Sequence, residues 1–138
     1  MSPDRLLPHA GSMRLLSSVL RWDAGWIECE SVTHLDPANP LRLDGALPIA
    51  CGLEYGAQAM AAHGALVAAA GDAPRVGYLA AARELRWWCE RLDVVDGPLR
   101  IRAERLLGSH RQVAYAFEIT GRTGLRVMAG RASVVLSA

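Results

Sequence analysis

The chain contains no lysine; all 15 of its basic residues are arginine. Cationic charge is therefore carried only by guanidinium groups, which stay protonated and grip carboxylate or phosphate in a two-pronged fashion. Charge of either sign is not in excess, with 15 basic against 14 acidic residues and a net charge of +1. That balance argues against nucleic acid as the main partner. Cysteine is scarce: Cys29, Cys51 and Cys89 are scattered and odd in number. No spacing among them suggests a metal knuckle or a redox pair, which fits a reduced, cytoplasmic setting. No basic-then-apolar leader opens the sequence, so no secretory signal is expected. The longest apolar run is interrupted by Glu54, Gln58 and His63, so no membrane span is expected either.

What is present is enough for one globular domain over 1–138, with 51% hydrophobic and 21% charged residues. The organising stretch is Pro48 to Ala70, PIACGLEYGAQAMAAHGALVAAA. It is rich in Ala, Leu and Met and apolar on nearly every side, the mark of a helix enclosed by the rest of a fold. Pro48 suits its first turn, and Gly71-Asp72-Ala73-Pro74 ends it.

Around this helix the pattern is of strands. Met13 to Trp22 reads as a first strand, Asp23-Ala24-Gly25 as a hairpin turn, and Trp26 to Thr33 as its antiparallel partner. His34 to Leu47 is a long loop, with two Pro, two Asp and one Gly. After the helix come four strand candidates: Val76 to Cys89, a stretch from Leu99, one carrying Val113, Tyr115, Phe117 and Ile119 on one face, and Leu125 to Leu136. The expected fold class is α+β: a curved antiparallel sheet of about six strands, the last four in meander, wrapped around one long central helix. The end strands would present unpaired backbone, for which edge-to-edge oligomerisation is the natural remedy.

One acid, Glu54, interrupts the apolar helix, and Gln58 shares its face one turn on. A carboxylate on such a helix must be paired, protonated or set in a cleft. His63 falls on the opposite face, as a core or interface histidine. Cys51, near the helix start, is a conceivable nucleophile, but no motif places a base beside it. Asp36 and Asp44 suit turns better than catalysis.

Three motifs resemble those of β-hydroxyacyl-ACP dehydratases with the hotdog fold. Pro8-His9-Ala10-Gly11-Ser12-Met13-Arg14-Leu15-Leu16 is similar to their opening, a Pro-His pair before a Leu-rich strand. Leu53-Glu54-Tyr55-Gly56-Ala57-Gln58 resembles their helix motif E-x-x-A-Q, and Gly77-Tyr78-Leu79 with Arg83 resembles a later strand. The loop His34-Leu35-Asp36-Pro37-Ala38-Asn39-Pro40-Leu41 resembles a divergent subgroup, the dehydratase-like proteins of aryl-polyene and related type II fatty-acid or polyketide pathways. In ordinary members a G-H-F-P loop supplies a catalytic His. The corresponding place here, about Asn39-Pro40-Leu41, holds none.

The resemblance implies dehydration of a β-hydroxyacyl thioester on an acyl carrier protein, with no cofactor and no metal. It implies Glu54 as catalytic acid, with His34 first and His9 second as substitutes for the missing base; His34 alternatively braces its loop. It implies Gly52, Gln58, Gly77 and Asn39 around the substrate, Gly52 through backbone N–H groups at the helix start. Arg75, Arg83, Arg86, Arg91 and Arg105 are candidates for the carrier's docking rim. Assembly is expected as a homodimer or higher oligomer, or with a second hotdog subunit. Acyl thioesterase activity, or a non-catalytic subunit of a heteromeric dehydratase, are the alternatives.

Overall fold

The computed structural model describes residues 13–69, 77–109 and 111–136. The expected short element over Met1–Ser12 with His9, the Gly71–Pro74 stop signal, Arg75 and His110 lie outside these residues.

The hairpin forms as its sequence indicates. Strand β1 (Ser18–Trp22) pairs antiparallel with β2 (Trp26–Ser31). At the corner, Asp23 Oδ1 accepts the N–H groups of Gly25 at 2.7 Å and Trp26 at 3.1 Å. The carboxylate thereby reinforces a turn that the backbone also closes, from the Asp23 N–H to the Trp26 carbonyl at 3.0 Å. A single 3-10 turn, Ile49–Cys51, leads into the helix α1 (Gly52–Ala69). Its 18 residues span about 27 Å. Strands β3 (Gly77–Trp87), β4 (Leu99–Gly108), β5 (Gln112–Thr120) and β6 (Arg126–Leu136) complete the chain.

Two expectations are corrected here. All six strands join one antiparallel sheet, but in the order β1-β2-β4-β5-β6-β3. Only β4, β5 and β6 form a meander; β3 lies at the far edge against β6, and among the described residues β1 and β3 are the edge strands. Alternation of side chains reveals which face a residue takes, not which strand lies beside it. The first strand is also shorter than expected. Residues 13–17 form no regular strand. Side chains from elsewhere in the fold bind the backbone of Met13 and Leu15 instead, as described below, while the Ser17 N–H reaches the Glu30 carbonyl at 2.9 Å.

The register explains the core. Ile27 pairs with Ala103 and Ala103 with Phe117; Cys29 pairs with Ile101, Ile101 with Ile119, and Ile119 with Met128. All of these are buried, and α1 lies across β2, β4 and β5 on this inner face. The outer face is charged: Glu28 is held by Arg21 at 3.0 Å and Arg100 at 2.8 Å. Two missing side chains let the helix settle closely. A Cβ at Gly52 would stand 3.0 Å from Met128 Sδ, and one at Gly56 would stand 2.9 Å from the Phe117 ring. At these two positions the sheet fills the space beside the helix. Gly56→Ala should therefore destabilise the fold by about 1–3 kcal/mol through overpacking, despite alanine's better helix propensity. Denaturant unfolding measures this; a gain in stability would show that the ring has room to move.

Candidate active site

Glu54 sits in the first turn of α1 and is half-buried. It shares one helix face with Leu53, Ala57, Ala61, Ala65 and Ala68, all partly exposed, while Tyr55, Gln58, Ala59, Met60, Ala62 and His63 are buried. The helix is thus not buried on every side, as its composition suggests; the stripe that carries Glu54 stays partly exposed. The edge strand β3 matches this opening. Its register partners Val134 and Met128 set Leu79 and Trp87 on the inner face, where they are 40% and 54% exposed.

Gln58 is fully buried and every polar position of its amide is engaged. Its Oε1 accepts the Leu15 N–H at 2.8 Å. Its Nε2 donates to the Met13 carbonyl at 2.7 Å and to Glu54 Oε1 at 3.3 Å. Glu54 and Gln58 are therefore brought together, and Gln58 faces the carboxylate as a donor.

The loop expected to carry the base is braced from within. Tyr55, fully buried, meets Thr33 Oγ1 at 2.8 Å, and Asn39 Nδ2 donates to the Tyr55 hydroxyl at 3.1 Å. Asn39 also donates to the Thr33 carbonyl and accepts the Leu41 N–H. Its amide is thus committed inside the loop, away from the surface a substrate would reach. Arg42 gathers the carbonyls of His34, Asp36 and Gly45 at 3.0, 2.9 and 2.6 Å.

His34 is completely buried, and its Nε2 donates to the Val95 carbonyl at 3.0 Å. This fixes the neutral tautomer with Nδ1 as the lone-pair nitrogen. The hydrogen bond goes to Val95, not to Glu54, so the structure does not bring His34 and Glu54 into a dyad. Gly52 turns its own N–H back onto the Ile49 and Ala50 carbonyls, because a 3-10 turn occupies the first residues of the expected helix and Gly52 closes it. Gly77 opens β3 opposite Leu136. Of the arginine rim, Arg91 is tied to Asp93, Arg86 lies 5.9 Å from the Trp88 ring centre, and Arg105 folds toward Gly108. Among the described residues no cluster of three or more metal-binding side chains occurs.

What sequence reasoning missed is the bracing set Ser31, Thr33, Tyr55 and Arg42. A hydroxyl or an Arg in a loop carries no local signal of the carbonyl it will meet.

His63 is buried on the far side of the helix, as expected. Its Nε2 donates to the Asp23 carbonyl at 2.8 Å, and its Nδ1 accepts from the Tyr115 hydroxyl at 2.7 Å. Burial pushes both His63 and His34 below the usual imidazole value of 6.5, against the carbonyls they contact. The folded state then resists protons that the unfolded chain accepts. Stability should be fully present above about pH 6.5 and fall as the pH drops from there toward the folded values, by up to about 1.4 kcal/mol per pH unit for each histidine. Thermal unfolding between pH 8 and pH 5 measures the slope. A melting temperature that is flat across pH 6.5 would refute it.

A helix laid over one face of a six-stranded antiparallel sheet, with a single acid in its first turn, defines a hotdog-fold protein. Solved structures agree. The dehydratase heterocomplex ApeI:P from Xenorhabdus doucetiae is similar with a TM-score of 0.87 at 23% identity, over 100% of this chain and 92% of that one. AziG from S. sahachiroi gives 0.69 at 16% identity, over 96% and 98%. Thioesterase HI1161 from Haemophilus influenzae gives 0.71 at 12% identity, over 97% and 87%. No curated protein matches by sequence. The family model of the ApeP dehydratase matches residues 1–137, and the chain belongs to this ApeP-like dehydratase family. No helix among the described residues is long and apolar enough to cross a membrane.

Proposed function

We propose that the protein acts in dehydration of a β-hydroxyacyl thioester carried on an acyl carrier protein, in a fatty-acid or polyene-type pathway. The observation that carries this is Glu54, half-buried on the partly exposed helix stripe and held by the donor Nε2 of Gln58. In the reaction a base takes the C2 proton, Glu54 gives its proton to the departing hydroxyl, and the products are the enoyl thioester and water. The inward-facing, hydrogen-bonded His34 favours its bracing role. The base then comes from His9 or from a neighbouring subunit.

That subunit is proposed at the β3 edge. Among the described residues no strand pairs with its outer edge, and beside it lie the exposed inner-face Leu79 and Trp87. A second hotdog subunit seated there would cover the Glu54 stripe and enclose a channel for the acyl chain. The similar chain from the ApeI:P dehydratase heterocomplex supports a different hotdog protein as the partner, and a second copy of this chain is the alternative. The arginines near β3 suit an acidic carrier, with Arg83 and Arg86 as the first contacts.

The test is to incubate the purified protein, alone and with a second hotdog subunit, with β-hydroxyacyl carrier protein. A loss of 18 mass units, signalling the enoyl product, is expected. Release of free carrier thiol would favour the thioesterase reading, which the thioesterase-like fold relatives keep in play. No product under either condition would end the dehydratase reading.

A further inference from the structure

Residues 13–16 lie over the helix like a bound peptide. Leu15 and Leu16 are 0% and 3% exposed, yet no strand pairs with Met13 or Leu15. The Gln58 carboxamide takes the place of a strand, accepting the Leu15 N–H and donating to the Met13 carbonyl. From the other side the Leu15 carbonyl accepts the hydroxyls of Ser31 and Thr33, at 2.5 and 2.7 Å. Thr33 in turn meets the Tyr55 hydroxyl, one residue from Glu54.

This arrangement has a chemical consequence for the acid. A primary amide has two nearly isosteric ends, one donating and one accepting. Rotated by half a turn, Gln58 would set its oxygen against the Met13 carbonyl, acceptor against acceptor, and would withdraw the donor from Glu54 Oε1. The Leu15 N–H forbids that rotation, because only Oε1 can receive it. Resting on the dehydratase reading of Glu54, we infer that the 13–16 segment, pinned by Ser31 and Thr33, is a positioning device that holds Gln58 in its donor orientation toward the acid. Gln58, Ser31 and Thr33 are then positioning residues. The two hydroxyls act at a distance, through the strap and the amide.

The experiment removes the pins without touching Gln58 or Glu54. The Ser31→Ala/Thr33→Val double variant should exchange the Leu15 amide hydrogen faster in NMR and lower kcat by roughly tenfold, with KM within about twofold, as expected for a misplaced acid. Thr33→Val alone is the milder arm and should move both readings in the same direction. Restoring the hydroxyl as Thr33→Ser should recover kcat. Gln58→Glu, which replaces the donor by an acceptor, should lose about a hundredfold. An unchanged kcat beside faster Leu15 exchange would overturn this inference alone. A wild-type assembly that forms no enoyl product would remove the dehydratase reading and this inference with it.

Discussion

Replacing Glu54 by Gln should lower the dehydration rate by about a thousandfold, the range that positioned proton transfer contributes, while leaving the fold intact. The substitution is nearly isosteric. Its carbonyl oxygen can accept the same hydrogen bond from Gln58 Nε2 that Glu54 Oε1 accepts at 3.3 Å. What is lost is a carboxyl able to give a proton to a departing hydroxyl. Because the change is nearly isosteric and Glu54 is only half-buried, stability should change by less than about 1 kcal/mol. Single-turnover dehydration with matched unfolding curves would read both. A variant with unimpaired turnover would move the protein to the non-catalytic reading, in which it supports a partner that does the chemistry.

Phe117→Ala should cost the fold about 3–5 kcal/mol, the usual loss for emptying a buried phenylalanine site. Against a total stability of roughly 5–15 kcal/mol, that leaves a marginal protein. The reason is local. Phe117 is 3% exposed and its ring fills the gap between two glycines, Gly56 on the helix and its register partner Gly130 on β6. Neither glycine has a side chain that could move into the cavity. Gly56 lies two residues from Glu54, so the loss of packing should loosen the turn that carries the acid, and turnover should fall with stability. Combining Gly56→Ala with Phe117→Leu tests the contact directly: the pair should cost less than the sum of the single changes. Strict additivity would show that the ring and the helix glycine do not bear on each other.

The extent to which this site is legible in the sequence depends on the range of the interaction. Glu54 and Gln58 are four residues apart, and helical spacing alone puts them on one face. His63 on the far face follows from the same arithmetic. Asp23 at the hairpin corner follows from a bond spanning two residues. By contrast, Gln58 reaches back 43 residues to Leu15, and His34 reaches forward 61 residues to Val95. No local pattern marks such partners. His34 illustrates the cost: a loop histidine ahead of a helix reads equally well as base or brace, and only its burial and its Val95 bond weigh for the second. Asn39 reads as a loop residue open to substrate until its amide is seen wedged between Thr33, Tyr55 and Leu41.

The sequence by itself determined the elements and their faces, since side-chain periodicity is a local property that each segment expresses alone. It also determined the one acid on an apolar helix and the amide one turn away. Only the tertiary structure decided that β3 travels to the far edge beside β6, that residues 13–16 are a side-chain-bound strap, and that the helix keeps one partly exposed stripe. These depend on contacts between segments distant in the chain, where shape, backbone hydrogen bonding and burial are settled jointly.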